Sequence, residues 1–329
     1  MEVVFFQRKP HRFHFSIEAI FEGIRKHLPA HVTKDVQVCP HPSEGILNRL
    51  RNTLWAKQKQ GQLNHITGDV HFLAILLETG KTILTIHDCG FMDNSSPVAK
   101  KILWLFWLKW PVGKSRVVTT ISESTKKDIV RYTGCNPNKI RVIPDFISEV
   151  FKAAPFMFNA QQPRCLIIGT KHNKNIPRII QALKDIPCEL SIVGEKRPEL
   201  LEMIEQAGLS YQWRSRISME EMYQCYVEAD LLLFPSTLEG FGMPIIEAQT
   251  VGRPVVTSNI SSMPEVAGEG ACLVDPYSVA SIREGVLRVI NDDAYREGLI
   301  AKGRKNCERF QPQKVADMYY ELYREVFSG

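Results

Sequence analysis

No run of about twenty apolar residues, the length a helix needs to cross a bilayer, occurs in this sequence. The eight cysteines, at 39, 89, 135, 165, 188, 225, 272 and 307, form no CxxC pair, and several sit inside apolar runs. They read as reduced core residues, which excludes a disulfide framework and a thiolate zinc site. No GxGxxG follows a strand, which argues against a conventional dinucleotide-binding dehydrogenase. No DxD-like pair stands at a strand end, so no metal and no cofactor are expected. Nucleic-acid recognition modules, repeats and low-complexity tracts are absent from the sequence, and nucleic acid is not an expected partner. Residue 1 leads almost directly into the strand-like residues 2–6, which leaves no room for a secretory leader. The expectation is a cytoplasmic protein.

What is present is a 329-residue chain with 44% hydrophobic and 23% charged residues, enough for two domains with separate cores. Its net charge of +5 is unevenly spread. Residues 1–150 hold 21 Lys+Arg against 13 Asp+Glu, and the remainder holds 20 against 23. A basic first half suits an anionic lipid surface or a phosphate-bearing substrate.

Short apolar strands alternate with helical stretches, the pattern of a parallel sheet covered by helices on both faces. Strands are expected at 2–6, 62–67, 81–87, 116–121 and 139–144, with helices at 16–28, 46–58 and 123–132 among them. The alternation restarts with strands at 164–169, 189–194, 229–235, 254–258 and 271–274. Residues 151–163, irregular and carrying Pro155 and Pro163, read as a linker. Three helical stretches close the chain, the last over 312–327. In the basic half, residues 100–111 (KKILWLFWLKWP) hold seven consecutive apolar residues flanked by lysines. They read either as a buried helix or as an interfacial anchor with aromatics at headgroup depth.

Residues 235–247 (PSTLEGFGMPIIE) follow the apolar run 231–234. Gly240 and Gly242 permit tight backbone, and Pro244 at the first helical position leaves free N–H groups facing the glycine loop. Such a helix start suits a phosphate, with Glu247 one turn in to accept from hydroxyls of the same ligand. The plainer alternative is a strand–turn–helix connection with two solvated glutamates, Glu239 and Glu247. At 165–175 (CLIIGTKHNKN) a strand and glycine lead to a basic loop, where Lys174 is either a diphosphate partner or a solvated lysine. Ser218 and Glu221 form a capping-box pattern after a strand end. His87, at the end of 81–87, is either a site residue or a hydrogen-bonded core histidine oriented by Asp88.

Taken together, residues 235–276 (PSTLEGFGMPIIEAQTVGRPVVTSNISSMPEVAGEGACLVDP) resemble the signature region of retaining nucleotide-sugar glycosyltransferases of the GT-B fold, family 4. The E-x7-E element is Glu239 to Glu247, and the ILTIHD, TTISESTKKDIVRYTG and KIRVIPD segments of the first half are similar to the family as well. The resemblance implies an α/β protein of two doubly wound Rossmann-like domains facing each other across a cleft, with the C-terminal helix packing back on the first. The expected boundaries are 1–150 for the acceptor-side domain, 151–163 for the linker, 164–309 for the donor domain and 310–329 for the returning helix.

It also implies roles. Glu247 holds the ribose hydroxyls, and Glu239 with the backbone of Phe241, Gly242 and Met243 contacts the transferred sugar. The helix opening at Pro244 faces the diphosphate, Lys174 binds phosphate, the backbone of Ile217 reads the base, and His87 approaches the reacting centre. The chain departs from the family in the loop after the first strand, which lacks the glycine pair and reads QRKPHRFH over 7–14. It departs again in the missing arginine beside Lys174 and in the sequence Ile143-Pro144-Asp145-Phe146. Arg8, Lys9 and Arg12 then become candidates for an anionic acceptor, with Asp69, Asp88 and Lys171 on the acceptor or phosphate side. Asp69 is equally readable as a helix cap with His71 in the first turn.

The function so implied is sugar transfer with retention from a nucleotide-diphosphate sugar to a glycan or lipid-linked acceptor in surface polysaccharide assembly, peripheral to a membrane. Alternatives are a nucleotide-sugar epimerase or sugar-phosphate synthase of the same fold, or a nucleotide-sugar-binding protein without turnover.

Overall fold

The computed structural model describes residues 1–9, 16–92 and 97–329, which fall into two compact units. The first comprises Met1–Phe146 with Pro312–Gly329, and the second Ile147–Gln311.

The first unit is built on six parallel strands: β1 (Glu2–Gln7), β2 (Thr33–Val38), β3 (Leu63–Ile66), β4 (Thr82–Ile86), β5 (Val117–Thr120) and β6 (Ile140–Val142). Their order is β2-β1-β3-β4-β5-β6. The chain winds one way from β1 to β2 and the other way from β1 onward through β3. The switch point between β1 and β3 is where open α/β sheets bind ligands, outside the strands' carboxyl ends. Strands β3, β4 and β5 are buried along their whole lengths, although β3 (LNHI) carries two polar side chains and β4 and β5 carry threonines. β2 (TKDVQV) is half-exposed at the sheet edge and carries no such run, so sequence patterning passes over it.

The helix Pro312–Ser328 returns to the first unit and packs on the helix Ser16–His27. Val315, Tyr319 and Tyr323 join Phe5, Phe21 and Ile24 in one core cluster. Within it the buried His65 is fixed at both ring nitrogens, Nδ1 2.7 Å from the Tyr323 hydroxyl and Nε2 2.8 Å from Thr85 Oγ1.

The second unit repeats the scheme with β7 (Arg164–Ile168), β8 (Glu189–Val193), β9 (Ser210–Arg214), β10 (Leu231–Phe234), β11 (Val255–Ser258) and β12 (Cys272–Val274). All neighbours are parallel, in the order β12-β11-β10-β7-β8-β9, and the switch point lies between β7 and β10. The strand missed here, β9 (SYQWR), is again a polar edge.

The first unit ends at Phe146 rather than at residue 150, and residues 151–163 are no free linker. Their backbone is tied to the second unit: Ala154 N–H donates to Val251 O (3.2 Å) and Asn159 N–H to Asp230 Oδ1 (2.9 Å). The buried Arg253 donates to Pro155 O and lies 4.5 Å from the Phe156 ring centroid.

Residues 97–114 form one helical stretch whose middle, Trp104–Lys109, is a π-helix. Leu108 and Val112 are buried while Ile102, Phe106 and Trp110 are 51%, 40% and 45% exposed. The segment is therefore part core and part surface, and neither sequence reading covers it alone. Among the described residues no helix is long and apolar enough to cross a membrane.

Candidate active site

In the second unit, the switch point collects the loops after β7 and β10. The loop after β7 folds into a short 3-10 turn, His172–Lys174, followed by Asn175 in the left-handed region (φ 63) and the helix Ile176–Leu183. The buried Asn175 amide holds both neighbouring loops, donating to Pro235 O (3.0 Å) and Pro276 O (2.7 Å). This turn brings Lys174 onto Glu239: Nζ to Oε1 is 2.6 Å, with the two side chains 16% and 14% exposed. Asn173 Nδ2 donates to the same carboxylate oxygen at 3.1 Å, and Lys174 Nζ sits 4.5 Å from the Phe234 ring centroid. Lys171, one turn earlier, remains exposed.

The loop after β10 is shaped by serine hydroxyls. Ser258 Oγ donates to Ser236 O, Ser261 Oγ to Glu239 O, and Ser262 Oγ to both Glu239 O and Phe241 O. With those carbonyls occupied, the loop delivers the chain to Gly242, whose φ of 113 only glycine adopts readily. The helix then runs Met243–Val251, with Pro244 at its second position instead of its first. Phe241 turns its ring into the protein against Phe310 (5.6 Å between centroids), so only its backbone serves the loop.

Glu247 lies one turn into this helix. The buried Tyr226 hydroxyl donates to its Oε2 at 2.6 Å. Burial pushes the Glu247 carboxyl up to about 7, and the bond from Tyr226 offsets only part of that. Ile217 is half-buried in the turn after β9, between Arg216 (φ 57) and Ser218. Ser218 and Glu221 form the expected capping box at the start of the helix Met219–Glu228.

In the first unit, the carboxyl ends of β1, β3 and β4 gather the other candidates. Arg8 bridges Glu18 (Nε to Oε1, 2.6 Å) and Asp69, which it contacts through Nη1. Asp69 (φ 55) therefore serves as an ion-pair partner and caps no helix. The following 3-10 turn His71–Ile75 has Val70 at its N-cap and no side-chain cap. His87 is partly exposed and its Nε2 lies 3.0 Å from Thr67 O, to which it donates. Asp88 is exposed and accepts from the Gly90 N–H, so it does not orient His87. Lys9 is exposed, and Arg12 lies outside the described residues.

Sequence reasoning missed Tyr226, Asn175 and the Ser261–Ser262 pair. The pair precedes a short helix and is legible as a turn, but nothing in its spacing says whose carbonyls it holds. No group of three or more His, Cys, Asp or Glu able to hold a metal ion occurs among the described residues.

Comparison with known proteins matches residues 3–149 to the sequence model "Glycosyltransferase Family 4" and residues 158–306 to "Glycosyl transferases group 1". The chain is 27% identical over 234 residues to O-antigen chain mannosyltransferase B of Escherichia coli, covering 65% of this chain and 61% of that one. Its fold is that of sucrose-phosphate synthase from Thermosynechococcus elongatus (TM-score 0.79, 17% identity, 99% of both chains). It also matches Anabaena Alr3699/HepE in complex with UDP and glucose (TM-score 0.77, 15% identity, 99% of this chain and 100% of that one). The chain spans about three-fifths of the mannosyltransferase's length. With both halves matched in order and two doubly wound sheets carrying the E-x7-E element at a switch point, the chain belongs to the family 4, group 1 glycosyltransferases of the GT-B fold.

Proposed function

We propose that the protein transfers a hexose, with retention, from a nucleotide-diphosphate sugar to a glycan or lipid-linked acceptor in surface polysaccharide assembly. The observation that carries this reading is the convergence, at one switch point, of a helix N-terminus behind Gly242, a lysine on Glu239, and a glutamate hydrogen-bonded by Tyr226. The mannosyltransferase relative makes a nucleoside-diphosphate mannose the first donor to try.

In this reading Glu247 accepts hydrogen bonds from the ribose hydroxyls, and the backbone of Ile217 meets the base. The diphosphate faces the N–H groups of the helix Met243–Val251 and the ammonium of Lys174, with Lys171 near the loop's edge. Breaking the bond between the sugar's anomeric carbon and the phosphate oxygen leaves negative charge on the diphosphate and positive charge on the ring. Fixed N–H groups and an ammonium stabilise the first without reorganising, so no metal is required. The acceptor hydroxyl oxygen forms the new bond on the same face, and its proton goes to the departing phosphate oxygen. Glu239, already neutralised by Lys174, is positioned for the sugar hydroxyls, and His87 is the first unit's candidate for a catalytic contact. Lys9 and Arg12 supply positive charge for an anionic acceptor, beside an Arg8 already held by Glu18 and Asp69. A lipid-linked acceptor puts the reaction at the cytoplasmic face of an anionic membrane.

A screen of nucleotide-sugars that reads out nucleotide release, with and without glycan acceptors, tests the proposal. Release from one donor, lost in Lys174→Ala and weakened in affinity by Glu247→Ala, is the expected result. Binding without release from any donor overturns transfer, and unchanged affinity of Glu247→Ala overturns the donor site.

A further inference from the structure

The helix Ile46–Gln58 gives Ala56 and the half-buried Trp55 to the first unit's core but leaves its branched aliphatic side chains outside it. Asn52, Thr53 and Ala56 are buried, whereas Ile46, Leu47, Leu50 and Leu54 are 75%, 70%, 55% and 55% exposed. Positions i, i+1, i+4 and i+8 share one arc of a helix, so these four side chains form a single apolar face turned to solvent.

The orientation is built in. Asn52 donates from Nδ2 to His41 O (2.9 Å) and accepts from His41 N–H (3.1 Å), pinning the polar side to the chain that precedes the helix. Arg49 donates to Ser43 O (2.7 Å) and stacks its guanidinium 4.6 Å from the Trp107 ring centroid. Rotating the helix to bury its leucines would break all of these contacts.

We propose that this leucine face docks the first unit on an anionic lipid surface. Charge selects the occupant. Residues 46–59 carry Arg49, Arg51, Lys57 and Lys59 and no acidic residue, and Arg51, Lys57 and Lys59 are exposed around the leucines. The helical stretch over 97–114 repeats the composition: Ile102, Phe106 and Trp110 are exposed on one side, Lys101, Lys109 and Lys114 are exposed around them, and acidic residues are absent from its sequence. Both elements border one groove of about 740 Å³, lined by Trp107, by the cations Arg8, Lys9 and Arg49, and by the acids Glu44 and Asp69, of which Asp69 is paired with Arg8.

Leucines ringed by lysines, with an exposed tryptophan, suit the headgroup boundary of a bilayer. A protein interface of this size depletes lysine, and a second copy of so basic a face would meet like charge. Thirteen residues are too few to span a bilayer, so the helix lies in the interface plane. The inference rests on the proposed function only in giving the surface a reason to be near a lipid-linked acceptor; vesicle binding needs no turnover.

Co-flotation with phosphatidylcholine vesicles, with and without phosphatidylglycerol, tests it. The wild type associates with the anionic vesicles at low salt and less at high salt. The triple variant Leu47→Ser, Leu50→Ser, Leu54→Ser partitions roughly tenfold less or worse, since each leucine brings its own apolar burial. Arg51→Glu with Lys57→Glu loses the preference for anionic lipid, while thermal unfolding and nucleotide binding stay as in the wild type in both variants. Equal partitioning of wild type and triple variant, or no association with anionic vesicles, overturns the proposal. So does a vesicle-free dimer that the triple variant abolishes, which assigns the face to a second copy. Failure of sugar transfer with intact vesicle binding counts against the proposed function alone.

Discussion

Tyr226 and Glu247 are 21 positions apart in the chain, and their 2.6 Å hydrogen bond is what makes the glutamate more than a solvated helix residue. Burial raises the Glu247 carboxyl from 4.5 to about 7, so the folded chain holds a proton there that the unfolded chain has released. Its contribution to stability is present below pH 4.5 and is lost as pH rises toward about 7. Glu247→Gln removes that slope, a result checked by denaturant melts across pH 4–8. In the proposed donor site ribose hydroxyls donate best to the charged carboxylate, so that proposal predicts a nucleotide affinity that rises with pH through the same window, and calorimetry on wild type and Glu247→Gln tests it. Tyr226→Phe withdraws the bond that lowers this pKa and moves the midpoint of the affinity curve upward. Lys174→Ala costs about 10²–10³-fold in turnover, the usual loss on removing one fixed donor to developing charge, and leaves Glu239 without its cation. At this scale Glu239, Glu247, Lys174 and Gly242 stand out in the sequence by type and spacing, and the structure brings Lys174 onto Glu239. Tyr226 carries no such signal, because only folding brings it to Glu247.

Elements were legible in proportion to their burial. The inner strands of both sheets are mostly buried and were found, whereas the edges β2 and β9 carry Lys34, Asp35, Gln212 and Arg214 and were missed. The loop after β3 shows the limit in another way. Gly68 has φ 128, and a Cβ there would stand 2.7 Å from His87 Cδ2. Gly68→Ala therefore displaces His87 from Thr67 O in addition to straining the backbone. If His87 acts as proposed, the expected outcome is a fall in transfer activity, measured beside calorimetry of nucleotide binding to the same variant. The Gly68–Asp69 turn resembled a capped helix start in sequence, yet Asp69 is drawn off by Arg8, a residue 61 positions away.

At the scale of the whole molecule, alternating strands and helices are enough to announce two doubly wound sheets. What closes the first unit is less local. Val315, Tyr319 and Tyr323 complete a core begun by Phe5 and Phe21, and Tyr323 anchors the buried His65. Tyr323→Ala is expected to destabilise by about 3–5 kcal/mol, as aromatic truncations in cores do, and a chain ending at Gln311 loses the first unit's cooperative unfolding while the second unit keeps its own; calorimetric scans check both.

The return of the helix Pro312–Ser328 also orders events on the ribosome. The second unit, Ile147–Gln311, is contiguous and can close as soon as it is synthesised. The first unit is made earlier yet finishes later, waiting with Phe5, Phe21 and Ile24 uncovered until residues 312–329 emerge. In this protein the N-terminal half is the last to fold, and the interval between is when it depends most on chaperones.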